Sequence, residues 1–337
     1  MNSTKSQQRV VYVGMSGGVD SSVTAALLKE QGYNVVGVYM KNWSKDLPGF
    51  PCPWKEDYQD AKRVAVKLGI DFKMFDFETE YFDKVVQYMI DGYKAGLTPN
   101  PDIMCNQEIK FKLFYEAAMS DGADYIATGH YAQTKDGKLL QAIDSNKDQT
   151  YFLYRVSEEA LAKTLFPLGG YTKPEVRQLA EERNLITAHK KESMGICFVG
   201  KVGIRDFLSQ YVETKPGNII DREGNILGEH DGAIFYTIGQ RHGLDIGGGL
   251  PYYVVDKDMK TNTVIVSSDL NDENLWLSEV NLTSTHWVNE VPQLGKTYQV
   301  RMRHRAKLAD AILTELHDNR AVLVLKEDER LDYHAAQ

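Results

Sequence analysis

The sequence predicts an α/β protein, with an N-terminal domain built on a parallel sheet and smaller β-rich modules after it. Three observations lead there. Apolar strand-like runs alternate with helical periodicity through the first half of the chain. At Gly14–Ser22 a strand passes through two adjacent glycines straight into a helix. After about Lys201 the texture shifts to glycines and short β-like runs. Alternation of strand and helix implies parallel pairing with right-handed crossovers, and 337 residues exceed one typical domain.

Residues 10–13 read as a buried strand and 23–28 as helix, with Gly32 beyond its end. A second strand is expected at 34–40 and a helix at 56–68, ended by Gly69. A third strand follows at 71–77 and a long helix at 80–93. Another helix at 109–119 leads to a strand at 124–128 that runs into Gly129-His130. Ligands of such sheets bind beyond the carboxyl ends of the strands, so the glycine turn, Met40 and Gly129-His130 are expected on one rim. Pro174 suits the first turn of a helix at 173–184. Beyond it, strands are expected at 218–220, 233–238, 252–255 and 263–266, and the segment 277–325 is again strand-like.

The glycine turn carries the strongest chemical signal. Glycines let backbone amides approach an anion, a helix N-terminus adds positive potential, and Ser16, Ser21 and Ser22 offer hydroxyls to phosphate oxygens. No Gly-Lys-Ser/Thr follows and Gly-x-Gly-x-x-Gly is absent, so this is neither of the commonest nucleotide loops. A plain capped turn does not account for the strand, the Ser-Gly-Gly-x-Asp-Ser order and the helix together. Pro99 and Pro101 are expected to hold 98–106 as a stiff loop closed to helix. In that loop Asp102 stands three residues before Cys105, a spacing that lets both side chains share a tight turn. Cys197 follows His189, Lys190 and Lys191, and nearby cations favour thiolate. For either cysteine the competing reading is a small buried hydrophobe, and that reading holds for Cys52, flanked only by prolines. No Cys-x-x-Cys or His-x-x-x-His pair occurs, so no metal ligands are assigned. An iron–sulfur cluster on all three cysteines stays open on spacing and is the disfavoured alternative.

Composition is that of an ordinary soluble protein, 42% hydrophobic and 26% charged, without a run long enough to span a membrane or a secretory leader. Three cysteines make no disulfide framework, which fits a reducing cytoplasm. A net charge of −8 means that any polyanion must be gripped by a local patch. Residues 301–308 offer one. As a strand they would set Arg301, Arg303, Arg305 and Lys307 on one face at roughly 6–7 Å spacing, with Met302, Ala306 and Leu308 inward. Such a face suits phosphates, and a solvated face that blocks edge pairing is the competing reading. Residues 144–149 carry no signal beyond a polar turn.

Together these motifs resemble the bacterial tRNA-specific 2-thiouridylases of the ATP pyrophosphatase superfamily, over about residues 10–325. The glycine turn, Tyr39-Met40-Lys41-Asn42-Trp43, Thr98 to Asn106, Ile109-Lys110-Phe111-Lys112, Ala127 to Tyr131, 144–149, Phe152-Leu153-Tyr154, Gly195-Ile196-Cys197-Phe198 and Thr237 to Arg241 carry the likeness, with Gly247-Gly248 and Tyr253 to Asp256. The resemblance implies an adenine-nucleotide α-hydrolase-like catalytic domain at 1–203 and a β-rich central domain at 204–274. A β-barrel-like tRNA-binding domain at 275–337 is expected to be incomplete, since the family's Pro-Gly-Gln turn and closing strands have no counterpart after Leu325. It implies ATP, with Mg2+, at Gly14, Met15, Ser16, Gly17, Gly18, Val19, Asp20, Ser21, Met40 and Gly129. It implies a persulfide on Cys197, a second thiol at Cys105 that releases sulfide or attacks the base, a Cys105–Cys197 disulfide, and Asp102 as acid or base. Expected tRNA contacts are Asn100, Pro101, Asp102, His130, Lys147, Asp148, Gln149, Arg303 and His304. The partners are tRNA, through its wobble uridine, and a sulfur-donor protein, either a relay protein or a cysteine desulfurase. Two alternatives stay open: another ATP pyrophosphatase such as an amide-forming synthetase, and an inactive tRNA-binding form of the shortened chain.

Overall fold

The computed structural model describes residues 8–47, 51–191, 203–247, 251–326 and 331–332. They form two compact units. One runs to Val86 and resumes at Pro101, and the other takes Gln87–Asn100 and begins again at Gly203.

In the first unit β1 (Val10–Gly14) leads into α1 (Val19–Glu30), and β2 (Asn34–Lys41) precedes α2 (Trp54–Leu68) and β3 (Asp71–Asp76). Gly69 ends α2 in the left-handed conformation, φ +59°. Helix α3 (Glu78–Tyr81) passes through a π-helical stretch, Phe82–Val86, into α4 (Gln87–Lys94). Further on come α5 (Pro101–Met104), a π-helix at Cys105–Leu113, α6 (Phe114–Ser120) and β4 (Tyr125–Ala127). A hairpin of β5 (Gln133–Lys135) and β6 (Lys138–Leu140) precedes α7 (Glu158–Ala162), β7 (Thr164–Leu165) and α8 (Lys173–Glu182). The sheet order is β3-β2-β1-β4-β7, every pair parallel. The order reverses at β1, so the crevice beyond β1 and β4 is the switch point where such sheets bind ligands. Helix α1 is buried without a break from Ser21 to Leu28 and packs with Val11, Val13, Val35 and Val176 in the core. That burial fixes the loop joined to its N-terminus.

The loop expected across 98–106 is a helix from Pro101 onward. Pro101 sits at the first helical position, where the missing N–H has no partner to lose and the fixed φ already suits helix.

The second unit holds α4, α9 (Ile204–Leu208) and a sheet of order β10-β11-β8-β9. Its strands are β8 (Gly217–Ile220), β9 (Ile226–His230), β10 (Tyr253–Asp258) and β11 (Thr263–Ser267), with only β11 and β8 parallel. The helix α4 and the turn after it belong here: Gly92 packs on Pro99, and the Thr98 and Thr237 hydroxyls lie 3.3 Å apart. The strand expected at 233–238 is instead a 3-10 turn, Ala233–Phe235, whose first amide donates to Asn262 Oδ1 at 2.9 Å. A continuous apolar run has no strand period of its own, and here the side-chain cap decides.

Next come β12 (Trp276–Leu277), β13 (Glu279–Thr283), β14 (Thr297–Val300), β15 (Ala309–His317), β16 (Arg320–Leu325) and β17 (Leu331–Asp332). They form a four-stranded antiparallel sheet, β13-β16-β15-β14, and a β12-β17 pair. Val300 pairs with Ala309, so 301–308 is the hairpin connection between β14 and β15 and not the expected strand. Arg305 adopts φ +66° and the Ala306 amide donates to Arg303 O at 3.1 Å. In a turn the four cations do not share one strand face.

Candidate active site

The rim between β1 and α1 assembles as a tight corner. Gly18 caps α1 with no side-chain bond to the first amides, which leaves them for a ligand. A side chain at Gly14 would meet the Met40 methyl at 2.9 Å, and one at Gly129 would meet the Ser21 amide at 2.9 Å and Asp20 at 3.0 Å. The ends of β1, β2 and β4 therefore close on the same loop. Met15 is buried against Gly37, so it can offer a ligand only backbone. Gly17 has φ +76°, and a Cβ there would stand 2.9 Å from the Asp57 carbonyl carbon. Its missing side chain thus makes room for α2 rather than for an anion. Gly18 has only Ser16 Oγ nearby, at 3.5 Å. Ser16 is exposed, and Ser21 bonds to its amide at 3.2 Å. Ser22, expected to reach phosphate, is fully buried and donates to Gly18 O at 2.7 Å, so its hydroxyl shapes the helix.

Asp20, in the first turn of α1, gathers two groups that the sequence reading missed. Lys173 Nζ lies 2.7 and 2.8 Å from its two carboxylate oxygens, and Tyr131 OH donates to Oδ1 at 3.0 Å. Lys173 is placed by the start of α8. Thr172 and Glu175 form a capping box, Pro174 follows, and the Lys173 amide donates to Asp144 Oδ2 at 2.9 Å. The Thr172-x-x-Glu175 spacing was readable as a helix start. Nothing local says that its first side chain meets a carboxylate 153 residues away.

The 144–149 turn is built around its own acids. Asp144 Oδ1 accepts from the Asn146 and Lys147 amides, and buried Asp148 accepts from the Ala142 amide and the Thr150 hydroxyl at 2.8 and 2.5 Å. Asp148, expected at the tRNA, is turned inward to hold the loop. Gln149 clasps Tyr131 both ways, amide to carbonyl and side-chain oxygen to amide, each at 2.9 Å. Lys147 is half-buried.

Asp102 and Cys105 stand one turn apart on the helix begun by Pro101, hence on one face. Cys105 is 1% exposed. Burial holds the Asp102 carboxyl above the usual range, opposed by the Lys110 charge. Lys110 Nζ lies 3.5 Å from His130 Nε2, and Thr128 Oγ1 meets His130 Nδ1 at 2.8 Å. Burial first, then Lys110, hold the imidazole neutral. His130, expected at the tRNA, is 7% exposed and lies between Phe111 and Phe166. Asn106, buried, donates to Phe152 O at 3.0 Å. Cys52 is half-buried with Sγ 3.7 Å from Trp43 O, and burial pushes its thiol up, which suits a packing role. Cys197 lies outside the described residues, so the Cys105–Cys197 pairing is not among the observed contacts. In the second unit Arg303 and His304 sit in the β14–β15 turn, half-buried.

A glycine corner at the start of α1, at the switch point of a parallel sheet, with a half-buried acid and a buried thiol in the same unit, is the arrangement of a nucleotide-dependent α/β enzyme. Family models agree: a tRNA methyl transferase HUP domain matches residues 9–201 and a tRNA methyl transferase PRC-barrel domain matches 205–268. The tRNA-specific 2-thiouridylase MnmA of Enterococcus faecalis is 49% identical over 314 residues, covering 90% of this chain and 83% of its own. That of Bacillus cytotoxicus is 47% identical over 334 residues, covering 97% and 90%. A solved 4-thiouridine synthetase–RNA complex with bound ATP aligns at TM-score 0.41 and 17% identity, over 60% of this chain and 50% of its own, too loosely to carry an argument. At this identity and coverage the chain belongs to the tRNA-specific 2-thiouridylase family. No helix among the described residues is long and apolar enough to cross a membrane.

Proposed function

We propose that this chain uses ATP to replace the 2-oxygen of a tRNA wobble uridine with sulfur. The observation that carries this reading is the pairing, in one unit, of the glycine corner at Gly14–Ser21 with the half-buried Asp102 carboxyl, held above its ordinary range, and the buried Cys105 thiol. A urea-like carbonyl is a poor electrophile and oxide a poor leaving group. Adenylating O2 with loss of pyrophosphate turns the oxygen into part of AMP, which leaves. The amides at the start of α1 and the Ser16 hydroxyl face the phosphates, and Met40 and Gly129 line the nucleotide. Bound magnesium would offset triphosphate charge, and Asp20, with a carboxylate one-third exposed, fits it.

In the second half-reaction the terminal sulfur of a Cys197 persulfide bonds to C2 as AMP departs. The Cys105 thiolate then attacks the Cys197 sulfur, so the S–S bond to the new thiocarbonyl breaks and a Cys105–Cys197 disulfide forms. An external thiol reductant returns both thiols. Asp102, held toward its protonated form, hands a proton to the uracil or takes one from it. The persulfide comes from a donor protein, and the β14–β15 turn supplies cations to the tRNA backbone.

The test supplies purified chain with ATP, tRNA and a persulfide source. The expected outcome is 2-thiouridine in digested tRNA, with one AMP and one pyrophosphate released per sulfur. Unmodified tRNA with no AMP formed, or a methylated base in place of a thiolated one, overturns the reading.

A further inference from the structure

We propose that Lys173 is a phosphate-binding cation of the nucleotide site, held on Asp20 until a triphosphate takes it over. This rests on the ATP reading above and adds a residue that the glycine turn does not contain.

Three observations point the same way. First, the ammonium is fixed and nearly dry. Its side chain is 9% exposed, while that of Asp20 is 32% exposed, so the cation lies on the inner side of the carboxylate. Nζ also stands over the Tyr131 ring, 5.8 Å from its centroid. Second, the backbone is anchored twice, by the capping box at Thr172 and Glu175 and by Asp144 on the Lys173 amide. The backbone that carries the ammonium therefore keeps its place whether or not Asp20 holds the side chain. Third, Asp20 stands in the first turn of α1, beside the amides that would meet the phosphates. A lone carboxylate there would repel a polyanion. Paired with Lys173 it is neutral, and a phosphate oxygen can replace it as the partner of Nζ while the carboxylate turns to magnesium.

A purely structural pair is the competing explanation. Removing water from both ions offsets much of their attraction, so such a pair gives little stability over apolar residues of the same size. Its placement at the edge of the anion corner is what an exchangeable partner requires.

The two roles separate by ligand. Isothermal titration calorimetry of the full chain with ATP, inorganic pyrophosphate and AMP compares wild type, Lys173→Met and Lys173→Arg, and a thermal melt checks that each is folded. Loss of one charge-assisted contact predicts that Lys173→Met weakens ATP and pyrophosphate by about 10- to 100-fold. AMP, lacking the β and γ phosphates, should change by less than about threefold. Lys173→Arg keeps the charge and should recover most of the pyrophosphate affinity, and it remains informative if Lys173→Met does not fold. Unchanged pyrophosphate affinity in a folded Lys173→Met, an equal loss for all three ligands, or an arginine variant as poor as the methionine one overturns the proposal. Wild type that binds neither ATP nor pyrophosphate overturns the nucleotide reading, and this proposal with it.

Discussion

At the phosphate corner charges stand as a pair: the buried Lys173 ammonium and Tyr131 hydroxyl face the one-third-exposed Asp20 carboxylate, and Ser16 is exposed. On the helix begun by Pro101, and against it, charge is suppressed instead. Cys105 is buried, the Asp102 carboxyl is pushed toward its neutral form, and His130 is held uncharged beside Lys110. The contrast follows from what each region handles. A triphosphate arrives charged and needs fixed opposite charge, whereas sulfur and proton transfer at an uncharged base are served by groups whose protonation the surroundings set.

The largest expected effect separates the two regions. Cys105→Ser should abolish thiolation while ATP titration by calorimetry stays near wild type, because the thiol is no part of the phosphate corner. Parallel loss of ATP binding would merge the regions into one. Next in size, Gly17→Ala should weaken ATP binding at least about tenfold and lower the melting temperature, since the new methyl strikes the Asp57 backbone at a left-handed φ. Gly18→Ala, with room around it, should shift stability by no more than about 0.5–1 kcal/mol. If the two alanines behave alike, the corner is shaped by phosphate access and not by α2.

A smaller effect sharpens the dry side. Lys110 pulls the Asp102 carboxyl downward against burial. Lys110→Met should therefore move the limb of the thiolation pH profile that Asp102 governs to higher pH. A shift the other way would assign that limb to another group. The smallest expected effect is on stability. His130 takes a proton less readily folded than at its ordinary value of 6.5. The unfolded chain binds that proton first as pH falls, so wild type should lose stability below about pH 6.5. His130→Gln should flatten that slope in denaturant titrations at pH 7 and pH 5, whatever its packing cost. Equal slopes would mean that the imidazole is wet.

Most of the first unit was legible because β1, β2 and β4 are apolar runs, Gly32 and Gly69 follow α1 and α2, and Pro174 opens α8. The Ser-Gly-Gly-x-Asp-Ser turn was readable as a phosphate site since all its parts are contiguous. Four things were not. Lys173 meets Asp20 across 153 residues, and no local pattern encodes a long-range ion pair. Pro101 reads equally as helix breaker and first helical residue, and only the following turns decide. At 301–308 alternating charge imitates a strand, while pairing of Val300 with Ala309 makes it the connection. The inward turn of Asp148 and His130 also escaped, because burial of a polar residue depends on partners elsewhere in the fold.

The π-helix at Cys105–Leu113 has a consequence for tolerance to change in length. In an α-helix, side chains five apart point roughly 140° away from each other. Closure from residue i to i+5 brings them much nearer to one side, so Cys105 and Lys110 face more nearly alike than α spacing would allow. The stretch works as a gear whose tooth spacing is wider than usual. Deleting one residue from it would leave every functional side chain in the sequence, yet drop the helix back to α spacing and swing Lys110 and Phe111 away from His130. Point substitutions on the outer side of this segment should be absorbed, while an insertion or deletion of a single residue should be as damaging as loss of the thiol.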